Sequence, residues 1–267
     1  MSTENTESSI AAGELSQSDQ ALLPTLIPKT HAFVKDYMAR YDSSHDFSHV
    51  LRVLNLAHHI AQTEQKYLQS VALVPPPATK VAPLYDSTII TLAALLHDVG
   101  DRKYIQEGEK ADESPVKTFL VESGASEALG ERVQTIVNGV SYSKEIKDPQ
   151  RVLDLIEVYP ELAVVQDADR LDAVGAVGIG RTFTFAGAKG SGGAGMENVL
   201  KHFEEKLLIL ETMMKTKTGT EMAQRRTKVL REFERFWYFK DPSIVLPNIS
   251  EFIRSPSQGV PNIKNYI

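Results

Sequence analysis

The residues Ser87–Leu96 read STIITLAALL, with no charge among them, and the chain then passes directly into His97-Asp98-Val99-Gly100. A helix this apolar is buried on every side. An ionisable pair at its end costs on the order of several kcal/mol unless it is paired or bound to a metal. A second stretch repeats the conflict. Glu161–Phe185 predicts one long buried helix, with Val164, Ala168, Leu171, Gly175 and Gly178 forming a close-packing stripe. Asp167, Asp169 and Asp172 interrupt it. Asp169 and Asp172, three apart, share a face. Several carboxylates cannot all ionise in a low-dielectric core without cations. Arg170 can neutralise one, whereas a divalent metal would neutralise two and account for the histidines as well.

The rest of the chain supports helices. From Leu22 onward the apolar spacing is mostly helical. Thr30–Tyr41 is predicted as the first helix. His49, Val53, Leu56 and Ile60 fall on one face of a second, which Asp46 or Ser48 would cap. Residues of about 65–86, with Pro75, Pro76, Pro77 and Pro83, read as an irregular excursion. Ser87–Asp98 forms the buried helix, ended by Gly100. Ser114-Pro115 has the pattern of a cap followed by proline in the first turn, and Glu127–Val140 forms another amphipathic helix.

Gly187–Gly195 is a flexible connection without the spacing of a P-loop. Met196–Lys215 and Thr220–Phe239 are further helices. On the latter, Arg225, Arg226, Lys228, Arg231 and Arg235 read as a solvated face. Asn248–Ile267 reads as irregular. With no strand alternation and no repeat, the prediction is an all-α helical bundle. Residues 21–267 form one domain, with additional C-terminal helices, behind a disordered acidic tail of residues 1–20.

The chain has no cysteine, which excludes disulfides and thiolate metal sites. Any metal must be held by imidazole and carboxylate. The net charge of −6 argues against broad nucleic-acid binding. It leaves room for a small anion, since a metal and a few cations can invert the local field. No apolar run of about 18 residues is present, so no membrane helix is expected. Residues 1–20 carry Glu4, Glu7, Glu14 and Asp19 and no Lys or Arg, the opposite of a targeting leader. The expected location is cytoplasmic, with nuclear as the alternative. An apolar helix face could pair chains into a homo-oligomer.

Three segments carry the chemistry: HDFSHVLRV (His45–Val53), LLHDVGDRK (Leu95–Lys103) and VQDADRLDA (Val165–Ala173). Each position alone has a plainer reading. His49 could be a core histidine, His97-Asp98 a helix cap, and Asp169 an ion pair with Arg170 or Arg52. Together they favour two imidazoles and two carboxylates from three helices, an N2O2 set suited to a borderline transition metal. Such an ion lowers the pKa of water from ~15.7 toward ~7. That is chemistry for hydrolysing a phosphate ester or anhydride. Lys103 and Arg52 flank the first two segments and could stabilise charge on phosphoryl oxygens or pair with Asp46 or Asp172. Arg181 could reach phosphate or tie helices together. His45 stands one turn before His49, facing the ligands or the substrate. His45, Arg170 and Arg181 are the candidate substrate contacts. His31, His58, His59 and His202 read as surface or core residues.

The order H…HD…D resembles the HD superfamily of metal-dependent phosphohydrolases. HDFSHVLRV, LLHDVGDRK, VVQDADRLDAVGAVGIGRTF and HFEEKLLILETMMKT resemble its YedJ/YpgQ-like branch, found in bacteria and fungi. The likeness runs from about Thr30 to Phe239. It implies a site inside a helical bundle, with His49, His97, Asp98 and Asp169 as metal ligands. Asp169, rather than Asp167, matches the last aspartate of the pattern. Asp167 and Asp172 then support the ligands or anchor helices. Asp101 falls where related nucleotidases carry an acidic catalytic residue, able to orient water or protonate a leaving group; its plainer role is a turn aspartate.

The resemblance implies one divalent ion (Mn, Ni, Co, Fe, Zn or Mg) and a small-molecule nucleotide substrate. The expected activity is pyrophosphohydrolysis of a (deoxy)nucleoside triphosphate, releasing monophosphate and pyrophosphate. Rivals are a nucleoside monophosphate phosphatase, a non-catalytic nucleotide sensor, and an iron oxygenase, which would need a second metal's ligands.

Overall fold

The computed structural model describes residues 14–40, 46–72, 85–100, 114–188 and 196–237. His45, Asp101, Lys103 and the Pro-rich stretch at 75–83 lie outside them. Among the described residues every regular element is helical and no strand occurs, as the spacing predicted. The helices are α1 (Gln17–Met38), α2 (Phe47–Ala72), α3 (Ser87–Leu96), α4 (Pro115–Glu122), α5 (Glu127–Val140), α6 (Tyr142–Lys147), α7 (Pro149–Val158), α8 (Glu161–Asp172), α9 (Gly175–Ala188), α10 (Met196–His202) and α11 (Lys217–Trp237). Chain contacts gather into one unit ending at Leu230, which holds the site, and a second beginning at Arg231. No described helix is long and apolar enough to cross a membrane.

α3 is the central post. It packs against α1, α2, α5 and α8, while α2 lies along α8. Ile89, Ile90, Leu92, Ala93, Ala94, Leu95 and Leu96 of α3 are all buried. Each large side chain buried this completely contributes about 1.5–3 kcal/mol. Asp86 starts the helix by accepting hydrogen bonds from the N–H groups of Thr88 (2.8 Å) and Ile89 (3.2 Å). The buried face of α2 holds His49, Val50, Val53, Ala57 and Ile60. Leu56, expected on that face, is half-buried beside it.

Several boundaries differ from the sequence reading. α1 starts at Gln17 rather than Thr30, so residues 17–20, assigned to the tail, are its first turn. It runs through Pro24 and Pro28. Leu26, Thr30, Val34 and Met38, spaced by four, are buried along one side and outweigh the two lost N–H donors. α2 continues through Ala72 into the stretch expected to be irregular, because Gln65–Gln69 are mostly good helix formers with no proline among them. Glu127–Val140 is helical over the predicted range, and Pro115 stands in the first turn of α4.

The long helix expected over Glu161–Phe185 is two helices. Gly175, which opens the second, takes φ +76°, a conformation glycine adopts without penalty. The close-packing stripe therefore turns a corner after Leu171. The predicted helix Met196–Lys215 is regular only to His202. It then loosens into a π turn (Phe203–Leu207) and a 3-10 turn (Leu210–Met213).

Candidate metal centre

α8 is buried along its whole length except at Asp169, whose side chain is 32% exposed. The helix thus opens to its surroundings at that one carboxylate. Around it the structure gathers the ends of three elements. His49 comes from the first turn of α2, His97 and Asp98 from the turn closing α3, and Asp169 from the last turn of α8.

His49 Nε2 lies 3.2 Å from His97 Nε2. It lies 3.4 Å from Asp98 Oδ2 and 3.5 Å from Asp169 Oδ1. His97 Nε2 lies 3.4 Å from Asp98 Oδ2 and 3.7 Å from Asp169 Oδ1. Neighbouring donors on bonds of ~2.1 Å, subtending ~90–110° at a metal, stand ~3.0–3.4 Å apart. The donor set and its spacing fit a divalent ion, and the cluster of His49, His97 and Asp169 could hold one.

The far side of each imidazole is tied down. His97 Nδ1 is 2.8 Å from the carbonyl oxygen of Ala94, one turn back in α3. A carbonyl only accepts, so Nδ1 carries the proton and Nε2 offers its lone pair to the cluster. His49 Nδ1 lies 2.7 Å from Asp172 Oδ2, which sets the same tautomer when the ring is neutral. Burial pulls the His49 imidazolium down, but hydrogen bonds with the Asp172 and Asp98 carboxylates outweigh it and hold its pKa up at about 9. A proton and a metal therefore compete for the same nitrogen.

Asp172, beside the cluster, is bound by three side chains. Arg52 donates to it twice, from Nε to Oδ1 at 2.7 Å and from a terminal nitrogen to Oδ2 at 3.0 Å. Arg181 donates to Oδ2 at 2.9 Å. Burial opposes ionisation of Asp172, yet the bonds from His49 and Arg52 prevail and hold its carboxyl well below the usual range. Arg52 and Arg181, expected as phosphate contacts, are thus both anchored beside the cluster. Ser48, which sequence reasoning considered only as a cap, also accepts from Arg52 at 2.9 Å.

One expectation on α8 is revised. Arg170, predicted to touch substrate, is 2% exposed and forms an ion pair with Glu145 while donating to the carbonyl of Met213 at 3.2 Å. One residue along a helix turns the side chain by about 100°, which carries Arg170 away from Asp169 and into the packing against α6. Asp167 takes the helix-anchoring one of its two expected roles. It accepts from the N–H groups of Lys215 (2.9 Å) and Thr216 (2.8 Å) and pins the turn before α11. Burial pushes its carboxyl up despite those bonds. Sequence reasoning missed Glu145, the partner of Arg170 and Lys215. It also missed Tyr37, whose hydroxyl oxygen accepts from the N–H of Gly100 at 3.0 Å, just past the His-Asp pair. Neither stands in a patterned segment, so no local signal marks them.

The HD domain family model matches residues 46–174, which contain the whole cluster and Asp172. The chain belongs to the HD family and is, by class, a metal-dependent phosphohydrolase. It is 36% identical over 204 residues to YpgQ of Bacillus subtilis, covering 76% of this chain and 87% of that protein. A crystal structure of YpgQ in complex with ADP superposes with a TM-score of 0.59 at 30% identity, covering 84% of this chain and all of that one. An HD-superfamily hydrolase from Bacillus thuringiensis gives a TM-score of 0.53 at 30% identity, covering 79% and 96%.

Proposed function

We propose that this chain hydrolyses a phosphate anhydride of a nucleotide, releasing a nucleoside monophosphate and pyrophosphate from a (deoxy)nucleoside triphosphate. The observation that carries the reading is the convergence of His49, His97, Asp98 and Asp169, with the Nδ1 of each imidazole engaged and its Nε2 turned to the cluster. These four residues would hold one divalent ion. When bound, such an ion supplies Lewis acidity, lowering the pKa of water and offsetting charge on a phosphoryl group. The binding of ADP by YpgQ supports a nucleotide as ligand.

The chain's own residues supply orientation and charge. Asp172 keeps the His49 ring in place. Arg52, 36% exposed, retains a solvent-facing side that can meet a phosphate oxygen, and Arg181 adds a second positive charge near it. Asp101 and Lys103 follow the His-Asp pair by a few residues and are assigned proton handling and phosphate clamping. His45 is assigned a substrate contact.

The test is turnover of a nucleotide panel by the purified chain with Mn, Co, Ni or Mg. Pyrophosphate among the products supports the reading, and orthophosphate from monophosphates would replace it with a phosphomonoesterase. Asp98→Ala is expected to abolish turnover, and full retention would remove the site assignment.

A further inference from the structure

Asp172 takes four hydrogen bonds on two oxygens while 1% exposed. Its donors come from two helices other than its own: His49 and Arg52 from α2, and Arg181 from α9. Oδ2 alone serves three of them, at 2.7, 3.0 and 2.9 Å. One carboxylate faces two guanidinium groups and so holds both cations beside the His/Asp cluster. A buried carboxylate whose only task was to neutralise an arginine would need one partner. This one also holds the ring of an expected metal ligand.

We infer that Asp172 is a positioning residue that couples the metal ligand set to the cations beside it, so that metal binding and phosphate binding reinforce each other. The inference rests on the assignment of His49 as a metal ligand. Removing the carboxylate frees the His49 ring and releases Arg52 and Arg181 to repel each other. Both binding events are then weakened by one change at a residue that touches neither ligand. In the intact joint Asp172 holds the His49 ring, and a divalent ion held by the cluster would supply positive charge that favours this hydrogen bond. That keeps the carboxylate and both guanidinium groups in register for an anion. Order imposed by the first ligand is order the second need not supply.

The experiment measures binding rather than turnover, so it stands apart from the identity of the substrate. Mn2+ is titrated into the full chain by calorimetry with and without pyrophosphate, and pyrophosphate with and without Mn2+. Free Mn2+–pyrophosphate association is subtracted. In the wild type each ligand should tighten the other severalfold. Asp172→Asn should weaken Mn2+ binding about 10- to 100-fold and reduce the mutual effect toward none. Asp172→Glu, which restores the charge, should recover part of both. Unchanged Mn2+ affinity in a folded Asp172→Asn chain, or an undiminished mutual effect, overturns the inference.

Should Asp172→Asn fail to fold, the wild type loaded with Zn2+ decides. The His49 Nδ1 proton must then be seen by NMR as a downfield, slowly exchanging signal, and its absence overturns the inference. A chain that binds metal and pyrophosphate cooperatively but turns over no nucleotide would refute the proposed function alone.

Discussion

The Nε2 atoms of His49 and His97 face each other at 3.2 Å, each with its Nδ1 already engaged. Two lone pairs so close repel unless a cation or a proton lies between them. Metal binding is therefore expected to stabilise the fold. At a free Mn2+ concentration near 100 times Kd the gain is about 2.7 kcal/mol. Thermal melting with added metal and with chelator checks this, and a Tm indifferent to both would count against the centre.

Arg170 forms an ion pair with Glu145 inside the protein, and Lys215 binds the same carboxylate at 2.7 Å. Removing one member of a buried pair costs about 3–5 kcal/mol when the other is left uncompensated, and Lys215 keeps the cost at Glu145 below that. Arg170→Gln should lower the denaturation midpoint and leave KM for nucleotide near wild type. A large rise in KM with unaltered stability would return Arg170 to the substrate site.

Asp19 ties α1 to the start of α5. Its carboxylate accepts from the N–H of Ser126 at 2.8 Å and from the Ser126 hydroxyl at 2.7 Å. Burial raises its pKa, but bonds from Ser16 and Ser126 outweigh that and hold it below 3.8. A depressed folded pKa gives stability that is present above the unfolded value and lost as the pH falls through the folded one. The Tm of Asp19→Asn should therefore lie below wild type at neutral pH and converge with it in acid, below about pH 4. Parallel curves throughout would show that the carboxylate charge contributes nothing.

Gly175 holds φ +76°, and a Cβ there would come within 3.1 Å of Arg226 Cβ. Arg226 also donates to the carbonyl of Leu171 at the end of α8. Gly175→Ala should cost about 1–2 kcal/mol for the left-handed backbone alone. It should also lower turnover, because α9 carries Arg181 onto Asp172. Urea denaturation and a rate assay on the same preparation test both effects.

The sequence alone determined the helical class, the bounds of α5, the proline start of α4 and the three segments that build the cluster. These follow from local patterns: apolar period, cap chemistry, and charged residues stranded in apolar runs. Tertiary structure decided the partners. Asp167, Asp169 and Asp172 lie on one short helix, yet they serve the turn before α11, the cluster, and the His49–Arg52–Arg181 joint respectively. Arg170 and Arg181 could both have been read as phosphate contacts, but only packing sends one to Glu145 and the other to Asp172. Periodicity gives the direction a side chain leaves its helix. What it meets there depends on helices distant in the chain, whose arrangement is set by burying α3 from all sides.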